Sequence, residues 1–269
     1  MIKEFLMNNP DHAKMAHFIR EDLRLKTLPV AVKFMDSNQS FPEKTKRPSV
    51  TLEKKVTLCQ AVTMARVYGW TLGLAKEDII CVPALLAFGF TNVSNSAETL
   101  GKLFCEVEFA KEEQKAIHEA NTLKRLENNE ERAILMSPWF KNLFEPDCVV
   151  FYGNPAQIMR MVQAIVFEEG TRIQGNFGGK VECTEYLVAP YLTGKPRISI
   201  PGMGDRIFSM TQDDEMVLSL TCTSLVSLYN GLSRAGKKIG ARYPVTFYQN
   251  FQPEFPKPYK VLAEKLDLF

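Results

Sequence analysis

Hydrophobic and polar positions along this chain follow two periods, and the switches between them mark out the elements. In "PDHAKMAHFIREDLRLK" the residues Met15, Phe18, Ile19 and Leu23 return every three or four positions, which predicts an amphipathic helix. "LPVAVKFM" (28–35) alternates as a strand, and the polar, proline-bearing "DSNQSFPEKTKRPS" reads as a loop. Thr57 is placed to cap a helix through "LCQAVTMARVYGWTLG", ended by Gly69 or Gly73. "DIICVPALLAFG" predicts a short buried strand turning into a helix, with Pro83 in its first turn. "AKEEQKAIHEANTLKRLENNEE" has carboxylates early and basic residues late, as the helix dipole favours, and predicts a solvated helix.

In the second half "RAILMSP" and "DCVVFYG" predict strands, the latter an unbroken apolar run suited to a central position. "NPAQIMRMVQAIVFEEG" is bounded as a helix, with Asn154 as cap, Pro155 in the first turn and Gly170 at the end. A helix "CTEYLVAPYLTG", strands "RISIPG" and "EMVLSLTC", and a helix "SLVSLYNGLSRAGKK" follow. The proline- and aromatic-rich "YPVTFYQNFQPEFPKPYK" is expected to lie over the body. This order predicts an α/β or α+β fold, a mixed sheet layered with helices, in one compact unit over residues 1–269. Both halves run strand, loop, cysteine, helix, which hints at two related, intertwined halves meeting near 128–147.

Composition narrows the function classes. A net charge of +2 with scattered basic residues provides no nucleic-acid footprint and no attraction to an anionic membrane. The N-terminus is charged from Lys3 onward and lacks a signal-peptide core. The apolar run from Ile79 to Phe90, broken by Pro83, falls short of the roughly twenty residues a bilayer takes. A cytoplasmic location is expected, and with it six reduced cysteines rather than a disulfide framework.

Three of those cysteines share a setting. Cys59, Cys81 and Cys183 each stand at or near the expected start of a helix, where free amides and the helix dipole favour a thiolate, the form that metals and iron–sulfur clusters require. The glycines of "GNFGGKVEC", Gly178 and Gly179 among them, would let backbone amides approach a cluster sulfur or an anionic ligand. Unpaired cysteine is also among the most buried residue types, so each thiol has a plain core reading as well. Cys105 and Cys148 lie in strand-like runs where that reading is the stronger, and Cys222 sits at a strand end.

"SIPGMGDRIF" offers Gly202 and Gly204 after a strand, with Arg206 able to fork onto a phosphate or carboxylate. A tight turn with Arg206 paired to Asp213, Asp214 or Glu215 explains the same residues. The three histidines, His12, His17 and His118, lie in charged helices and are expected at the surface. No Walker A loop, H-E-x-x-H or G-x-S-x-G occurs.

"LPVAVKFM", "LCQAVTMAR", "DIICVPALLAFGF", the "GNPAQ" helix entry and "CTEYLVAPYLTGKPRISIPGMGDRIFSMTQDDEM" together resemble domain of unknown function 169, a family found mainly in archaea and anaerobic bacteria. The resemblance covers most of the chain and implies kinship rather than an activity. It implies cysteines at Cys59, Cys81 and Cys183, and in many members another in the segment matching "SIPGMGDR", where this chain has Gly202 and Met203. Three ligands fit a [4Fe–4S] cluster with one iron open to a substrate or a weaker ligand. Two functions follow as expectations. One is a cytoplasmic iron–sulfur or other thiolate-metal protein of an anaerobic redox or cofactor pathway, with Arg206 orienting a small anionic ligand and a redox partner to serve. The other is a non-redox binding or accessory module with inert cysteines, in which Trp70 joins the glycine loops.

Overall fold

Strand β4 (Cys148–Gly153) is buried along its whole length because its side chains alternate between two apolar layers. Cys148, Val150 and Tyr152 enter one core, Val149 and Phe151 the other. The computed structural model describes residues 11–35, 39–244 and 254–268. Around β4 stand β1 (Val30–Met35), β2 (Leu72–Leu74), β3 (Ala133–Pro138), β5 (Arg197–Ser199) and β6 (Met216–Leu220). They form one six-stranded sheet in the order β2-β3-β1-β4-β6-β5, so strands from both sides of 128–147 share it. Every strand pair is antiparallel, and parallel contacts occur only as isolated bridges. Helices and antiparallel sheet together make an α+β fold.

Eleven helices are described. One sheet face is covered by α1 (His12–Leu23), α7 (Pro155–Glu169) and α10 (Cys222–Leu232), which bury Ile19, Met161 and Leu228 against Val149 and Phe151. The other face carries α3 (Leu58–Tyr68), α4 (Val82–Ala87), α5 (Ser96–Glu106) and α6 (Glu113–Thr122). Short helices α2 (Pro48–Thr51), α8 (Ala189–Thr193) and α9 (Met203–Phe208) and the C-terminal α11 (Lys257–Lys265) complete the set.

Local chemistry explains the ends that the sequence predicts well. Thr57 Oγ1 accepts the Gln60 amide at 3.1 Å while the Gln60 side chain accepts the Thr57 amide at 2.9 Å, and Gly69 closes α3 at φ 72°. Asn154 and Gln157 make the same reciprocal box at α7, which ends at Gly170.

Elsewhere tertiary contacts overrule the local pattern. The strand expected over Asp78–Cys81 is a single bridge, Val56 to Ile79, because Asp78 is pinned into a 3₁₀ turn by Ser49, the Ala75 amide and Arg47. "KLFC" belongs to helix α5, where Asn95 caps and Ala97, Leu100 and Phe104 face the core. The long solvated helix shortens to α6, and "MGDRIF" is helical rather than a turn. His12, expected at the surface, is buried with its ring 5.7 Å from that of Trp139. Part of the proline–aromatic tail, residues 245–253, lies outside the described residues. Among the described residues no helix is long and apolar enough to cross a membrane.

Candidate functional site

Cys59, Cys81 and Cys183 line one cavity of about 380 Å³ on the α3–α6 side of the sheet. Each stands at a helix start. Cys59 lies in the first turn of α3, Cys81 caps α4, and Cys183 precedes a π-helical turn over Thr184–Val188. The rest of the lining is largely apolar: Leu103, Phe104, Val107 and Phe109 from α5 and the turn after it, and Met203, Ile207 and Phe208 from α9. Gly204 brings bare backbone beside Cys59; a Cβ added there would lie 3.7 Å from Cys59 Sγ.

The chain is strained where it delivers Cys183. Val181, a β-branched residue, holds φ 55°, in the left-handed region such residues avoid, at a cost of about 1–3 kcal/mol. The π-helical turn that follows is a second uncommon conformation, a kind that recurs at functional sites. Gly179, at φ 74°, makes the preceding turn without a side-chain clash.

Burial governs the thiols in this cavity. It pushes Cys59 up to about 12, with the nearby Asp205 adding to the effect and the Thr57 hydroxyl, 2.9 Å from Sγ, opposing it. Cys81 is raised by burial, against the Ala84 amide. Cys183, partly accessible through the cavity, is held well above its ordinary value by the protein around its sulfur and then by Cys81, Asp205 and Cys59. The helix starts therefore do not yield free thiolates here, because desolvation outweighs their amides. Among the described residues no three His, Cys, Asp or Glu side chains gather round one point to hold a metal ion. The three thiols share one wall, and Cys183 is near enough to Cys81 and Cys59 to be raised by both.

Comparison with known proteins adds kinship. The profile of DUF169, described as "Uncharacterised ArCR", matches residues 19–231. The chain belongs to the DUF169 family. It is 29% identical over 192 residues to the uncharacterized protein MJ0308 of Methanocaldococcus jannaschii, covering 71% of this chain and 80% of that protein. No solved structure matches.

In this DUF169 protein the other residues singled out in the sequence are engaged elsewhere. The amides of Gly178 and Gly179 donate to Glu182 Oε1 at 2.6 and 2.5 Å, so they close a carboxylate turn beside the cavity rather than facing into it. Arg206 donates to the Gln212 carbonyl at 2.9 Å and approaches Asp213 at 3.5 Å, on the side of α9 away from the lining. Its structural ion pair is the arrangement present. Trp70 stacks under the Lys46 ammonium at 5.1 Å, away from the thiols. Cys105 and Cys148 sit on α5 and β4, and Cys222 Sγ meets Glu145 at 3.0 Å; none lines the cavity.

Three polar residues of the DUF169 cavity wall are not legible from sequence. Asp205 is buried and accepts from Tyr152 and Tyr186 hydroxyls at 3.0 and 2.9 Å and from the Gly202 amide at 3.1 Å. Glu182 Oε2 accepts from Ser199. Burial raises both carboxyls. Lys180 is paired with Glu119, and its ammonium lies 4.9 Å from the Phe104 ring and 5.5 Å from that of Phe109. The available signal was the two tyrosines in otherwise apolar runs, whose hydroxyls require a buried partner.

Proposed function

We propose that Cys59, Cys81 and Cys183 hold an iron–sulfur cluster or other thiolate-bound metal centre in a cytoplasmic protein of an anaerobic redox or cofactor pathway. Their number suits a [4Fe–4S] cluster with one iron open. The observation that supports this reading is convergence: thiols from three segments, the last more than a hundred residues beyond the second, line one cavity. The donors are soft sulfurs, the ligand type that iron–sulfur clusters and soft metals take. The strained Val181 and the π-helical turn beside Cys183 are what a site held against local preference requires. Bound there, such a centre would supply electron transfer or a Lewis-acidic iron.

The chain's own residues have distinct parts to play. Thr57 offers a hydroxyl donor to the sulfur of Cys59. Asp205, fixed by two tyrosines, and Gly204 shape the wall beside that thiol. Binding metal would release the protons that burial keeps on the thiols, so loading is favoured by higher pH.

The test is iron and acid-labile sulfide content, with a visible spectrum, on protein purified without oxygen. Near-stoichiometric iron and sulfide with broad absorption around 400 nm is expected, and serine at any one of the three cysteines bleaches it. Stable, colourless protein after attempted iron and sulfide loading overturns the reading. It would leave a second one, favoured by the apolar lining and the protonated thiols: a non-redox binding module whose cysteines are inert wall.

A further inference from the structure

Lys180 stands out in the cavity wall. It is 8% exposed, and placing an ammonium in an apolar lining is costly unless the charge is compensated. Compensation inside the protein is incomplete. One hydrogen bond goes to Glu119, and two aromatic faces lie within cation–π reach. An ammonium has three N–H donors, so among the described residues two remain without a hydrogen-bond acceptor. Glu119, about a third exposed at 31%, lies on α6 and shares its carboxylate with solvent.

The remaining polar groups of the wall are committed. Glu182 receives two amides and a serine hydroxyl, and Asp205 receives two tyrosine hydroxyls and an amide. Apart from the thiols and these two engaged carboxyls, a ligand entering the cavity meets hydrocarbon and one lysine. The lip, formed by Val107, Phe109, Ile207 and Phe208, is exposed and apolar. The volume, about 380 Å³, lies in the range that holds small molecules.

We infer that the cavity binds a small carboxylate with an apolar body, its anionic end taken by Lys180 and its hydrocarbon laid against Phe104 and the apolar lip. This inference rests on the cavity being the functional site, as proposed above, and names the class of molecule that the site admits. Lys180 sets the specificity, and Glu119 occupies the ammonium while the ligand is away.

The experiment is calorimetric titration of the protein as purified without oxygen, using hexanoate and hexanamide as probes that differ in charge but hardly in shape. Hexanoate is expected to bind at least tenfold tighter than hexanamide. Lys180→Met abolishes that preference, Lys180→Arg keeps it, and Glu119→Gln strengthens hexanoate binding several-fold by freeing the ammonium. Equal affinity for the two probes, a preference that survives Lys180→Met, or no binding of either at millimolar concentration overturns the inference. If Lys180→Met fails to fold, the Glu119→Gln arm decides: unchanged or weaker hexanoate binding overturns it. Iron and sulfide measured on the same samples separate the two claims. A metal-loaded protein without carboxylate preference sinks the ligand class alone, whereas carboxylate preference in protein that stays colourless after iron and sulfide loading sinks the metal centre alone.

Discussion

Thr57 serves two masters at the start of α3. Its hydroxyl oxygen accepts the Gln60 amide, and the same hydroxyl shares a hydrogen bond with Cys59 Sγ at 2.9 Å, either atom able to donate. Thr57→Val keeps the shape and loses both contacts, so it should lower stability by about 1 kcal/mol, with Thr57→Ser restoring it; urea denaturation reads the difference. In iron-loaded protein the same valine should also shift the reduction potential, since hydrogen bonds to sulfur tune it. At this scale the sequence was informative about the cap, because a threonine three residues ahead of a glutamine carries its own local signal. That the hydroxyl also meets a thiol depends on a side-chain geometry which no spacing rule reports.

Among the elements, α5 and α6 form the pair that supplies Phe104 and Glu119 to the site. They approach closely at Gly101, where an added Cβ would lie 2.6 Å from Ile117 Cα. Gly101→Ala should force the pair apart and cost about 1–3 kcal/mol, read as a lowered melting temperature, and should weaken whatever the cavity holds. Gly231 is the counterpart on the opposite layer, with the Ala164 carbonyl 2.2 Å from the added carbon, and its alanine variant should destabilise without touching the cavity. Finding that Gly231→Ala alters cavity binding as much as Gly101→Ala would refute the separation of the two layers. Helix α7 was readable from sequence because its cap, proline and terminal glycine all act locally. Helix α5 was missed because the apolar residues around Cys105 also fit a strand, and only the packing of Leu100 and Phe104 into the core chooses between them.

Across the whole molecule, charge holds distant segments together. Arg66 on α3 grips Glu215 at 2.7 and 3.1 Å, both residues buried, while its guanidinium lies 4.0 Å from the Tyr152 ring. Glu215→Gln should therefore cost about 3–5 kcal/mol, since it leaves a buried cation without its counter-charge; chemical denaturation measures this. Asp78 ties the loop before Cys81 to α2. Burial would raise its carboxyl, but bonds from Ser49, the Ala75 amide and Arg47 outweigh burial and hold it below the usual aspartate range. A lowered folded value stabilises fully above the unfolded value of about 3.9 and is lost as pH falls through the folded one. Stability should thus drop below about pH 4 more steeply in wild type than in Asp78→Asn. Burial raises Asp147 in the opposite sense, so the difference between wild type and variant carries the test.

What the sequence determined by itself was whatever acts over a few residues: the capped helices α3 and α7, the buried β4, and the helix starts at Cys59 and Cys81. Caps, turn glycines and apolar periods are short-range, and a reader of the chain can see them. Tertiary structure alone decided that the sheet is antiparallel and that Cys59, Cys81 and Cys183 line one wall. It also decided that the amides of Gly178 and Gly179 serve Glu182, that Arg206 turns to Asp213, and that Lys180 and Asp205 enter the site. Those outcomes depend on which polar group reaches another first across the fold, and on a desolvation that exists only once the chain has closed around the thiols.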